Sequence, residues 1–71
     1  MSSARKYWTT EQLEQDAAYW AREEAFADRM IALTWERSGY QSPRWSLHKN
    51  KALMNRQASE SFLAQRQALP A

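Results

Sequence analysis

Between Thr9 and Arg37 apolar residues recur at helical intervals, and projected at about 100° per residue they separate into two seams on a single helix. Leu13, Ala17, Trp20, Ala27 and Ile31 form the first. Tyr19, Phe26, Met30 and Leu33 form the second, turned by roughly 120° on the same projection, with Asp16 and Glu23 between the two. A helix with two apolar seams asks for two neighbours.

The ends of this helix are written in short-range signals. Thr9 is a good N-cap, Gln12 can reach back to its backbone to make a capping box, and Trp8 with Leu13 fits a hydrophobic staple. Gly39, the only glycine in the chain, follows Arg37 and Ser38, where a left-handed residue ends a helix and a cation suits the dipole. The first helix is therefore predicted over about 9–38. Ser42 and Pro43 read as N-cap and first position of a second helix, no proline or glycine interrupts Arg44 to Leu69, and Pro70 closes it. That helix is predicted over about 43–67.

The stripe expected on helix 2 is Leu47, Met54, Ala58, Phe62 and Leu69, with Lys51 and Gln65 intruding. The short connection makes the helices antiparallel neighbours. The expected register sets Ile31 near the turn after Leu47, Ala27 against Met54, Trp20 against Ala58 and Phe62, and Leu13 against Leu69. The predicted fold class is all-α, an antiparallel two-helix hairpin over 9–69. A basic arm, 1–8, precedes it, carrying Arg5 and Lys6; it is expected to fray until Tyr7 and Trp8 dock, or to order on a partner.

This pairing uses the first seam and leaves Tyr19, Phe26, Met30 and Leu33 without an internal cover. The expectation is a homodimer, two hairpins forming a four-helix bundle through isologous contact between the long helices at those four residues. The alternative is that they wrap the edges of one core, because an apolar arc over about 100° wide is ordinary. A chain of 71 residues lies near the size at which a single core needs help from oligomerisation, metal or disulfides. Without cysteine there are no disulfides, which fits a reducing compartment. No apolar run approaches the ~20 residues of a membrane span, and Met1 to Tyr7 lacks the core of a signal peptide, so a cytoplasmic protein with no membrane partner is expected.

The net charge of +2 is unevenly spread. Arg5, Lys6, Arg22, Arg29 and Arg37 face seven acidic residues in the first 41 positions, whereas Arg44, Lys49, Lys51, Arg56 and Arg66 face only Glu60 in the remainder. Either the acidic helix and the basic helix complement each other, or the second presents a basic face to phosphate or an acidic partner. For nucleic acid the candidate contacts are Arg44, Lys49, Lys51 and Arg56, with Asn50, Asn55 and Gln57 able to read bases. Arg44 and Lys51, however, share one side of a helix while Lys49 and Arg56 lie on nearly the opposite one.

Reactive chemistry is sparse. His48 is the only histidine and reads as a solvated or polar contact residue, so no metal or cofactor is expected. Glu23, Glu24 and Asp28 do not converge as a paired-carboxylate site, and a two-helix hairpin has little concavity, so no catalytic residue is assigned. The aromatic excess is more informative. Trp35, Tyr40 and Trp45 cluster about the hairpin tip, where at least two are expected to be close in space. Together with Arg44 they either lock the turn or form a partner-binding anchor of interface type.

In outline, two long helices, Thr9 to Gln67, joined by a short turn, without cysteine and with arginine over lysine, the chain resembles small host-takeover proteins of temperate bacteriophages. Among these, the quorum-sensing anti-activators are small helical-hairpin dimers that bind a LuxR-type transcription factor, and some also engage a pilus-assembly ATPase. The resemblance implies a non-enzymatic protein that binds and inhibits or modulates a host protein, acting in the host cytoplasm; it carries no site residues across.

Overall fold

The computed structural model describes residues 2–68 as a 3-10 helix, Ser2–Tyr7, followed by two α-helices, α1 (Thr10–Ser38) and α2 (Pro43–Ala68). Leu69 and Pro70, assigned above to the core and to the helix end, lie outside the described residues. The helix ends form where local chemistry places them. Gln12 N–H donates to Thr9 Oγ1 at 3.0 Å and Thr9 N–H to Gln12 Oε1 at 2.8 Å, closing the capping box. Gly39 adopts φ 72° and ψ 20°, and its N–H donates to Trp35 O at 2.8 Å. An L-residue with a Cβ resists that conformation, so the lone glycine stops α1. Pro43 opens α2, and the Ser42 carbonyl accepts from Ser46 N–H at 3.1 Å. The result is an all-α antiparallel hairpin with extents of 53 × 20 × 16 Å.

The rotation of α2 about its own axis differs from the expected one. Leu47 and Met54 are 70% and 68% exposed, so Met54 does not face Ala27 in the core. The inward line instead runs through Trp45, Ala52, Ser59 and Arg66, with Ala52 and Ser59 fully buried opposite the fully buried Leu13 and Ala27 of α1. Two effects favour this rotation. Small residues at Ala52 and Ser59 leave room for the larger α1 seam, which includes Leu13, Trp20 and Ile31. The rotation also brings His48, Lys49 and Arg56 within ion-pair distance of Glu23, Asp28 and Glu24. Turning Leu47 and Met54 inward would take these cations away from the α1 carboxylates, of which Glu24 is the most withdrawn from water.

The N-terminal arm docks through Arg5 and a half-buried Trp8, over whose ring the Arg5 guanidinium lies at 5.2 Å, and not through Tyr7. Tyr7 is 79% exposed, whereas Arg5 is buried at 7%. Arg5 Nε donates to Ser59 Oγ at 3.0 Å, and Arg5 Nη2 donates to Asn55 Oδ1 at 2.9 Å and Asp16 Oδ2 at 3.2 Å. Ser59 Oγ donates to Asp16 Oδ2 at 2.6 Å, and Trp20 Nε1 donates to Asp16 Oδ1 at 3.1 Å. Asp16, the seam-breaking carboxylate of α1, thus sits at the centre of a network joining all three elements. Arg66 reinforces the junction by donating to the Trp8 carbonyl and to Thr10 Oγ1.

Candidate functional site

The two flanks of the hairpin differ in chemistry. On one flank Lys49 Nζ lies 2.6 Å from Asp28 Oδ1, Arg56 Nε donates to Glu24 Oε1 at 2.9 Å, and Arg56 Nη1 reaches Glu60 Oε1 at 3.0 Å. The hydrogen bond that Lys49 donates to Asp28 holds its ammonium above the ordinary pKa, and those that Arg56 donates to Glu24 and Glu60 do the same for its guanidinium. The acidic and basic helices do complement each other here. Lys49 and Arg56 are engaged by carboxylates, and the four cations considered for nucleic acid do not share a track.

The opposite flank is aromatic. Phe26 and Trp45 meet edge to face, with ring centroids 5.5 Å apart and planes at 81°, and Trp45 meets the His48 ring in the same way at 5.8 Å. His48 Nε2 is 3.0 Å from Glu23 Oε1, so the single histidine is a polar contact between helices. The Arg44 guanidinium lies over Trp45 at 5.4 Å, and the Lys51 ammonium lies 6.0 Å from the Trp20 ring. Glu23, Phe26, Arg44, Trp45, Leu47, His48 and Lys51 line an open groove of about 390 Å³.

The residues expected at a dimer interface fall on this aromatic flank. Tyr19, Phe26 and Leu33 are exposed and Met30 is half-buried. Tyr19 packs edge-on against Trp20 at 4.9 Å. Of the residues expected at a partner-binding tip, Arg44 and Trp45 join the same surface, because Trp45 turns back along the hairpin onto Phe26. Met30, Leu33, Arg37 and Tyr40 line a second groove of about 420 Å³ at the tip. Trp35 is exposed, and Trp45 pairs its ring with Phe26 and His48. Phe26 of the seam and Arg44 and Trp45 of the tip, separate in the sequence, line one groove, and Met30 and Leu33 line the other with Tyr40.

Leu47 and Met54 belong to this surface too, although their spacing reads as core. Both lie on the exposed side of α2 next to Lys51, at helical offsets of about three to four residues. Their exposure follows from α2's partners on α1, which no periodicity within α2 encodes. Arg22 and Arg29 also border the surface, following Tyr19 and Phe26 by one helical turn. A signal for them was present: Arg22 has Ala18, Tyr19, Ala25 and Phe26 as its helix neighbours, and Arg29 has Ala25, Phe26, Ala32 and Leu33.

Among the described residues no group of three or more His, Cys, Asp or Glu side chains is placed to hold a metal ion, and no helix is long and apolar enough to cross a membrane. No protein-family model, curated protein or solved structure matches the chain.

Proposed function

We propose that this chain is a non-enzymatic protein-interaction module that binds a host protein, such as a transcription regulator, through the aromatic flank of its hairpin and thereby inhibits or modulates it. One observation carries the reading. Tyr19, Phe26, Leu33, Leu47 and Met54 are all exposed; Phe26 and Leu47 line one groove with Trp45, helical projection sets Tyr19 and Leu33 on the Phe26 side of α1 and Met54 on the Leu47 side of α2, and the Lys49 and Arg56 ion pairs lie on the opposite flank. An apolar surface gathered on one side and backed by a thin core of Leu13, Ala27 and Ala52 is what a module completed by another protein requires. The outline shared with phage host-takeover hairpins supports the same role.

A second reading is favoured by the half-exposed seam itself. Tyr19, Phe26, Met30 and Leu33 would then meet their own copies in a four-helix bundle. Light scattering across a dilution and salt series, combined with Phe26→Asp, separates the two. A folded monomer that retains a host protein from lysate, and loses it on Phe26→Asp, supports the interaction role of this flank. A dimer that Phe26→Asp dissociates assigns the seam to self-association instead. Retention unchanged by Phe26→Asp overturns the proposal that the aromatic flank is the working surface.

A further inference from the structure

The cations of the aromatic flank specify a partner chemistry, given that this flank is a protein-binding surface. Among the described residues Arg22, Arg29, Arg37, Arg44 and Lys51 enter no ion pair, whereas Lys49 and Arg56 of the opposite flank both do. None of the five has a carboxylate at the helical i±3 or i±4 positions. Of the carboxylates adjoining them in sequence, Glu23 is engaged by His48 and Asp28 by Lys49, and Asp16 between the seams is engaged by Arg5, Ser59 and Trp20. Glu36 adjoins Arg37 in sequence but projects about 100° away from it. Each exposed apolar side chain of the flank has one of these cations one turn away: Tyr19 has Arg22, Phe26 has Arg29, Leu33 has Arg37, and Leu47 and Met54 share Lys51.

An apolar strip bordered by cations without internal counter-charges is the complement of an amphipathic helix whose apolar stripe is bordered by Asp and Glu. We propose that the aromatic flank binds an acidic amphipathic helix of another protein, laid between α1 and α2 as a third helix. Its apolar residues contact Phe26, Trp45 and Leu47, and its carboxylates face Arg29, Arg44 and Lys51. The span from Tyr19 to Leu33, roughly 21 Å along α1, is the length of about four helical turns, so a short helical segment suffices.

Other occupants fit less well. A second copy in isologous contact would set the same cations against one another, with no carboxylate freed to offset them. Single-stranded nucleic acid needs a run of ring faces on which successive bases stack, whereas Leu33, Leu47 and Met54 offer none and the edge-to-face Phe26–Trp45 pair breaks the run. At an anionic lipid surface the Glu23–His48 pair would interrupt the buried strip.

The test uses the full chain and a fluorescein-labelled synthetic helix of about 18 residues, with Leu on one stripe and Glu beside it. Two controls replace its Glu by Lys or its Leu by Ser. Anisotropy at about 0.1 M salt is expected to give the Glu/Leu peptide at least about tenfold tighter binding than either control. Arg44→Glu with Lys51→Glu, both exposed, is expected to reverse the preference toward the Lys peptide while leaving far-ultraviolet circular dichroism unchanged. Equal binding of the Glu and Lys peptides, no binding of either, or stronger binding to oligothymidine or to phosphatidylserine vesicles overturns the proposal. Loss of host-protein retention on Phe26→Asp, but not on the Arg44/Lys51 reversal, overturns the acidic-helix assignment alone. Retention unaffected by either variant overturns the interaction surface itself.

Discussion

Arg5 donates through Nε to Ser59 Oγ at 3.0 Å, joining residues 54 apart in the sequence and holding the N-terminal 3-10 helix against the middle of α2. The same guanidinium is the cation of Asp16, whose side chain is largely withdrawn from water. Arg5→Met keeps most of the stem's packing but removes every donor. Chemical denaturation is expected to show a loss of about 2–3 kcal/mol, because a largely buried carboxylate loses its counter-charge. Ser59→Ala is expected to cost about 1–2 kcal/mol, and the double variant less than the two losses combined, since both act through Asp16. Additive losses would show that the network does not act as a unit.

The rotation of α2 makes a second prediction that opposes its apolar periodicity. Leu47→Ser and Met54→Ser are expected to change unfolding stability by no more than about 0.5 kcal/mol each, because both side chains are already in water. Ala52→Leu, adding apolar volume where no space is exposed, is expected to cost about 1–3 kcal/mol. The opposite ranking in a urea titration would restore Leu47 and Met54 to the core.

Gly39 tests backbone conformation in isolation. Its φ is 72°, and a Cβ placed there meets nothing within 4 Å, so Gly39→Ala adds strain without a clash. A stability loss of about 1 kcal/mol is expected, with a smaller one for Gly39→Asn, which tolerates the left-handed region. Thermal unfolding of the two variants measures the difference.

The Lys49–Asp28 pair predicts behaviour at alkaline pH. Asp28 holds the folded Lys49 pKa above its ordinary value of 10.5, so the folded state keeps the proton longer than the unfolded chain. The contribution is therefore complete below about pH 10.5 and is lost as pH rises through the higher folded value. Above pH 10.5 the thermal midpoint of the native chain is expected to fall more steeply than that of Asp28→Asn. The pair is exposed, so the effect is small and weakens with added salt. Parallel slopes for the two proteins would remove this pair from the alkaline response.

Local chemistry by itself determined the elements of this protein. Thr9 and Gln12 satisfy each other across three residues, Gly39 supplies a left-handed conformation at its own position, and Pro43 begins a helix because its fixed φ suits that place. Those interactions close within about one helical turn, so the hairpin, its antiparallel sense and the two seams of α1 were readable before any coordinates. Only the tertiary structure decided which face of α2 turns inward and what Arg5 does. Periodicity within α2 favoured Leu47 and Met54, but it contains no information about Glu23, Glu24 and Asp28 across the interface, or about Arg5 reaching Ser59 from 54 positions away. Of the paired α1 carboxylates, Glu24 and Asp16 are the most withdrawn from water and gain most from a cation. The pairs Asp28–Lys49, Glu23–His48 and Glu24–Arg56 join residues 21 to 32 positions apart, and the rotation that makes them turns Leu47 and Met54 outward onto the flank where Phe26 meets Trp45.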